Sequence, residues 1–259
     1  MRNYVRILGC GSSTGVPRIG NNWGACDPNN PLNRRTRCSL YIHYHGISVL
    51  IDTSPDLRQQ LLSANVQGLD AVFYTHDHAD QTHGIDDLRV LAMFGRKLLP
   101  VYADQATRKT LESRFSYCFN GFGDYPAILG MQGLEDRIVL KGEAGHELLM
   151  EPFVMHHGRI KATGYLINKS IAYTPDLHDL PEESFNLLEN IDVWIVDALR
   201  YKPHPSHSHV AQSFDWIKKV GAKQGILTNM HIDVDYEEVR AICPDNIIPA
   251  YDGLEITLS

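Results

Sequence analysis

The sequence lacks any run approaching the roughly 18 apolar residues that a membrane-crossing helix needs. No membrane association is therefore expected. It also lacks a CxxC pair. Its five cysteines, Cys10, Cys26, Cys38, Cys118 and Cys243, are scattered and odd in number. That argues against a disulfide framework and fits a reducing compartment. The N-terminus "MRNYVRILGCGSSTG" runs straight into a strand-like apolar segment, without the apolar core and cleavage site of a secretory leader. A cytoplasmic location is the resulting expectation. Positive charge is in deficit, with a net charge of −7. The overall field repels polyanions, so no large nucleic acid is expected as a partner, and an anionic ligand must be held by local positive charge. Fixed-period repeats, low-complexity tracts and a clear linker are missing too. At 43% hydrophobic and 21% charged, the 259 residues read as a single globular domain over 1–259.

What is present begins with short strands. "YVRILG" is one, and "CSLYIHY-HG-ISVLID" reads as a hairpin closed at His45–Gly46. After Pro55, "DLRQQLLSAN" has helical spacing. "LDAVFYT" reads as a buried strand, "HGIDDLRVLAMFG" as a helix, "LLPVYAD" as a strand and "QATRKTLESRFSYCF" as a helix. Residues 118–146 are turn-rich and read as irregular, a flap. Strands "ELLMEPFVM", "TGYLIN" and "SIAYTP" follow, and a looser strand–helix alternation fills the rest. The pattern predicts an α/β architecture with sheet packed on sheet and helices outside. The segment "GNNWGACDPNNPLNRRTR" reads as a surface loop near a site.

The chemistry concentrates in "YTHDHADQTHG" at residues 74–84, where His76, Asp77, His78, Asp80 and His83 fall within eight positions. A strand ending at Thr75 delivers them into the turn before a helix, where α/β folds place ligands. Imidazole suits Zn, Mn or Fe, and a carboxylate hardens the site. Histidines two apart cannot share a helical face, but a tight loop can aim both at one ion.

These residues resemble the HxHxDH signature of the metallo-β-lactamase fold hydrolases. "LIDTSPDLR" resembles that family's early segment and "HHGRIKATGYLI", "IAYTPDLHDLP" and "ILTNMH" its later ones, in the family's order, so the resemblance spans essentially the whole chain. It is closest to the phosphodiesterase branch, with "NRRTRCS" and "HPSH" resembling its cyclic-phosphate phosphodiesterases. The resemblance implies an αββα sandwich, two mixed β-sheets face to face with helices outside. It implies two divalent ions, Zn or Mn. His76, His78 and His157 would hold one, Asp80 and His231 the other, and Asp176 would bridge them. Paired ions about 3.5–4 Å apart acidify water and neutralise a phosphate. Asp80 and His207 would carry catalysis, with His207 as the acid for the leaving alkoxide.

Two positions depart from the family pattern. Gln81 and Asn229 stand where it has histidines, and both fall on the second metal. Either His231 and His83 re-form that site, or it is weak and favours an oxygen-loving ion such as Mn²⁺, or the enzyme uses one ion. The family's cysteine-built structural zinc site also looks absent, since only Cys26 remains. Arg34, Arg35 and Arg37 are candidates to clamp a phosphate, Arg34 and Arg35 foremost, though such runs more often form a solvated face. "GCGSSTG" lacks GKS/T and reads as a tight structural turn. The expected activity is metal-dependent hydrolysis of a small cyclic or nucleotide-like phosphodiester. The alternatives are a lactone or thioester hydrolase on the same fold, a tRNA nuclease, and a catalytically weakened metal-binding member. Oligomeric state stays open, a homodimer included.

Overall fold

The structure, a computed structural model, describes residues 2–142 and 145–258. The first half contains β1 (Tyr4–Gly9), β2 (Ser39–Tyr44), β3 (Ile47–Ile51), α1 (Leu57–Ser63), β4 (Ala71–Phe73), α2 (Ala79–Thr82), α3 (Leu88–Gly95), β5 (Leu99–Ala103), α4 (Gln105–Arg114), α5 (Ser116–Asn120) and β6 (Leu129–Gly133). The second contains β7 (Ile138–Lys141), β8 (Glu147–His157), β9 (Ile160–Ile167), β10 (Ile171–Thr174), α6 (Glu182–Leu187), β11 (Val193–Asp197), α7 (Val210–Val220), β12 (Gln224–Thr228), α8 (Tyr236–Ile242), β13 (Ile247–Pro249) and β14 (Glu255–Thr257).

The expected hairpin is there. His45 and Gly46 both have positive φ, 47° and 83°, as a two-residue turn matched to strand twist demands. Tyr44 pairs with Ile47 across it. The strands form two seven-stranded sheets, ordered β14-β1-β2-β3-β4-β5-β6 and β13-β12-β11-β10-β9-β8-β7. Each sheet is antiparallel on one side and parallel on the other. Pairs β14/β1, β1/β2 and β2/β3 are antiparallel, and β3/β4, β4/β5 and β5/β6 parallel. The second sheet repeats this from β7 to β13, with the change at β10.

Period-two alternation builds the layers. In β4, Ala71 and Phe73 join an inner core with Ile7, Ile42 and Ile51, against Met150, Tyr165, Tyr173 and Ile195 of the other sheet. Val72 faces outward, into a second core with Leu57 and Leu61 of α1, Leu88 of α3 and Leu111 of α4. On the far side, Val210, Ile217 and Val220 of α7 bury against the second sheet, with Ile217 over Gly225. This is the αββα sandwich of two mixed sheets.

Two expectations change. Residues 118–146 are not simply an irregular flap. They hold β6 and β7, the edge strands of different sheets, so the segment carries the chain from one sheet to the other. Both strands are short, and β6 contains two glycines, which hides alternation. Residues 143–144 of that stretch lie outside the described residues. The helix read over "QATRKTLESRFSYCF" is two, broken at Phe115, whose φ of −122° is not helical. Among the described residues no helix is long and apolar enough to cross a membrane.

Gly84 shows how the metal-loop region is fixed to the sandwich. Its N–H donates to the Thr53 carbonyl at 2.9 Å. A Cβ there would collide with the Ser54 carbonyl and with Leu57 Cβ. Gly84→Ala is expected to cost about 1–3 kcal/mol in urea denaturation, as overpacking does. Gly68→Ala, where a Cβ meets nothing within 4 Å, should stay within about 0.5 kcal/mol.

Candidate metal centre

The parallel halves of both sheets aim their strand ends at one place. Asp52 follows β3, Thr75 and His76 follow β4, and Asp176, Asp197 and Asn229 end or follow β10, β11 and β12. His157 ends β8. Beside it, His156 is only partly buried, 6.4 Å ring to ring from His178. Alternation along the strand makes His157 the inward member of the pair.

Three imidazoles meet at this point. The ring centroids of His76 and His78 are 4.5 Å apart, and each lies 5.0 Å from that of His157. One nitrogen from each falls within 4.8 Å of the others. Hydrogen bonds fix the tautomers of His76 and His157. Asp52 accepts from Thr75 N–H at 2.8 Å and from Thr75 Oγ1 at 2.8 Å. With its proton committed, Thr75 Oγ1 accepts from His76 Nδ1 at 3.0 Å. His76 Nε2 then carries a lone pair, and this atom is buried with no hydrogen-bond partner. His157 Nδ1 donates to the Ser206 carbonyl at 2.7 Å, leaving Nε2 facing His78 Nδ1 at 3.3 Å. The Nε2 atoms of His76 and His157 converge beside His78, and a lone pair buried without a donor, as that of His76 is, costs free energy unless a cation takes it. A histidine whose second nitrogen is tied to a carbonyl or to a carboxylate-bound hydroxyl has the usual support of a metal ligand. Burial, then the neighbouring imidazoles, push His76 well below its ordinary pKa. Burial and His207 bring His157 down to about 4. Both are thus neutral, as ligation requires. The residues fit a divalent ion.

A second cluster adjoins the first. His157, Asp176 and His207 also bring one ligand atom each within 4.8 Å of the others. His207 Nδ1 donates to Asp197 Oδ2 at 2.7 Å, and its ring lies 4.7 Å from that of His157. Burial works against the imidazolium, but the charge and hydrogen bond of Asp197, helped by Asp176 and Asp80, raise its pKa to about 9. Asp80 lies in the first turn of α2 and shares the Gln81 amide with Asp176. Gln81 Nε2 is 3.3 Å from Asp80 Oδ2 and 3.1 Å from Asp176 Oδ2.

The structure does not bring every candidate here. His231 is outside the cluster. The chain turns at Asn229, whose φ is +58°, so alternation does not carry to residue 231. The His231 ring instead accepts from Arg18 Nη2 and sits 3.0 Å from Asp233. Arg35 is no phosphate clamp. It is 1% exposed and donates to the Val234 carbonyl at 2.7 Å and to Asn33 Oδ1 at 3.2 Å, pinning the long loop to the segment after β12. Arg34 is exposed and lies over the Trp23 ring at 5.0 Å, while Arg37 pairs with Asp56 at 2.7 Å. His83 is exposed, edge-on to Phe115. Sequence reasoning missed Asp52, Thr75 and Asp197 as parts of the site. Their signal was present: "VLID" and "VWIVD" each end an apolar strand in aspartate, as "IAYTPD" nearly does.

In metal-free protein the His207 ring should keep its proton up to about pH 9, read from its ring nitrogens by NMR. Asp197→Asn should move that titration down toward the ordinary histidine value. The sign follows from the raised folded-state pKa. The stability it contributes is fully present below the unfolded value and is lost as pH rises through about 9. Arg35→Ala should cost about 1–3 kcal/mol through its unmet carbonyl partners, whereas Arg34→Ala should leave the unfolding midpoint unchanged.

Comparisons with known proteins agree with this geometry. A family model described as "Beta-lactamase superfamily domain" matches residues 48–232. A curated protein of Porphyromonas gingivalis (strain ATCC BAA-308 / W83), named Octanoyltransferase, is 35% identical over 252 residues. The match covers 96% of this chain and 50% of that protein, so the chain spans about half the length of the curated relative it matches. A solved structure of a new diphosphatase from the PhnP family is 35% identical, with a TM-score of 0.90, over 100% of this chain and 98% of that one. The short form of human tRNase Z, at 17% identity and a TM-score of 0.67 over 99% of both chains, shares the fold. The matched model covers most of the chain, including every residue of the three-histidine cluster: this chain belongs to the beta-lactamase superfamily, with the metallo-β-lactamase fold.

Proposed function

We propose that this centre hydrolyses small phosphodiesters or diphosphate esters. The observation that carries the reading is the Asp197–His207 pair beside the three-histidine cluster, 2.7 Å between its members and 4.7 Å from His157 ring to ring. A divalent ion held by His76, His78 and His157 would polarise a phosphate oxygen and make water more acidic. The chain's own groups supply the rest. As water attacks phosphorus and the ester P–O bond breaks, the leaving alkoxide needs a proton. His207 donates it, since Asp197 engages Nδ1 and so fixes the ring with Nε2 free to transfer. Asp80, partly exposed beside Asp176, is placed to take the proton that the attacking water loses. Phosphate suits a net negative chain only in small substrates, which keeps large nucleic acids outside the proposal. The 35% identity to the PhnP-family diphosphatase over nearly all of both chains supports phosphorus chemistry.

A second reading is hydrolysis of a thioester or lactone. It is favoured by the name of the curated relative, Octanoyltransferase, half of which this chain matches. The two readings separate in one panel: bis-p-nitrophenyl phosphate, a 2′,3′-cyclic nucleotide, a diphosphate ester, a lactone and an octanoyl thioester, each with Mn²⁺- and with Zn²⁺-loaded protein. Turnover of the phosphate esters is expected, and turnover of only the last two substrates would overturn the first reading. His207→Ala should slow esters with poor leaving groups by about 10²–10⁴-fold and nitrophenyl esters far less. Equal losses on both would remove His207 from the acid role. Thr75→Val, which deletes the acceptor for His76 Nδ1, should weaken metal affinity by about 10–100-fold, measured by chelator competition.

A further inference from the structure

Two amides stand at this centre where the sequence resemblance sets imidazoles, and the structure shows what they do. Asp176 is 3% exposed. Its Oδ2 receives Gln81 Nε2 at 3.1 Å, and its Oδ1 receives Asn229 Nδ2 at 3.2 Å. The same Nε2 also donates to Asp80 Oδ2 at 3.3 Å, and the same Nδ2 to Asp197 Oδ1 at 3.3 Å. An amide NH₂ has two protons and no lone pair to give a cation. Here each NH₂ lies between two carboxylates, Asn229 Nδ2 standing also 3.2 Å from His207 Nδ1, and Asp176, Asp80 and Asp197 are bound into one network.

Neither amide turns over without loss. Reversing Asn229 would face its oxygen toward two carboxylates at once, and would take Oδ1 away from Cys38 Sγ, which reaches it at 3.9 Å. Its backbone is held in the left-handed region at φ +58°. Reversing Gln81 would face its oxygen toward Asp80 and Asp176 in the same way. Gln81 Oε1 is buried without a partner, but one neutral oxygen is a poor ligand set on its own. The amides thus do by hydrogen bonding what a second cation would do by charge: they hold together carboxylates that otherwise repel. In the three-histidine cluster next to them, the buried Nε2 of His76 has no hydrogen-bond partner and is left open.

We infer that this centre binds one divalent ion, on His76, His78 and His157, and that Gln81 and Asn229 close the position of a second. Asp176 keeps a carboxylate oxygen within 4.8 Å of a His157 nitrogen. The inference rests on the metal reading of the centre and not on the choice of ester.

The test is a count. Protein stripped with a chelator, loaded with excess Mn²⁺ or Zn²⁺ and desalted should carry one ion per chain by mass spectrometry. The Mn²⁺ form should give the paramagnetic resonance of an isolated ion, not of an exchange-coupled pair. The Gln81→His/Asn229→His double variant should take a second ion and show the coupled spectrum. If that variant does not fold, Gln81→Glu serves instead: it removes the NH₂, adds charge of near-equal shape and should also raise the count to two. His76→Ala should bring the wild-type ion down to none. Two ions on the wild-type chain would overturn the inference. So would a folded Gln81→His/Asn229→His or Gln81→Glu variant that still holds one. The count is independent of the substrate panel, so either result can fail without the other.

Discussion

The site depends on one buried carboxylate. Asp52 follows the last inner strand of the antiparallel half of the first sheet and is held at φ +63°. It takes both donors of Thr75, and Thr75 in turn sets the proton on His76. Burial drives the Asp52 pKa up to about 8 against those two hydrogen bonds. The group is therefore expensive to keep where it is. What it secures is register. The end of β3 is locked to the end of β4 through side chains as well as through the Asp52 N–H to Phe73 carbonyl bond at 2.8 Å. His76 thereby presents one nitrogen and not the other. An acceptor of that kind has to come from a neighbouring strand, because the loop carrying His76 is too short to supply one.

Much of this was legible in the sequence, for physical reasons. The apolar run "LDAVFYT" ending at a dense cluster of ligand-type side chains predicts a strand end aimed at an ion, and His76 and His78 are at that end. "IAYTPD" repeats the arrangement for Asp176 in the second sheet. The hairpin at His45–Gly46 was legible because two positive φ angles need such residues. The edge strands β6 and β7 were not, because short glycine-bearing strands show no alternation. Asp52, Thr75 and Asp197 were not recognised as site members, since Asp52 and Thr75 are 23 residues apart and Asp197 and His207 are 10 apart, and no local pattern names the partner.

The misplaced residues share a cause. Arg35 and His231 carry the chemistry of ligands, His231 placed near the site by the family resemblance and Arg35 by its guanidinium. Each is instead consumed by a neighbour. Arg35 satisfies backbone carbonyls in the buried seam between the long loop and residues 231–234. His231 is occupied by Arg18 and Asp233. A charged or imidazole side chain becomes available for chemistry only when the fold leaves it unsatisfied. Among the described imidazoles, that condition picks out His76 Nε2.

The two sheets reach the site from opposite sides: His76 and His78 belong to the first, His157 and Asp176 to the second. An ion held among them would act as a cross-link between the halves of the sandwich. Its binding free energy would be available only once residues from 76 to 176 are all in place, because no single sheet carries the full set. Occupancy would then stabilise the closed sandwich by mass action, in proportion to the logarithm of free ion over its dissociation constant. Loss of the ion would loosen the seam between the sheets before either sheet lost its own hydrogen bonds. In such a molecule the supply of metal governs how long the protein persists as well as how fast it works.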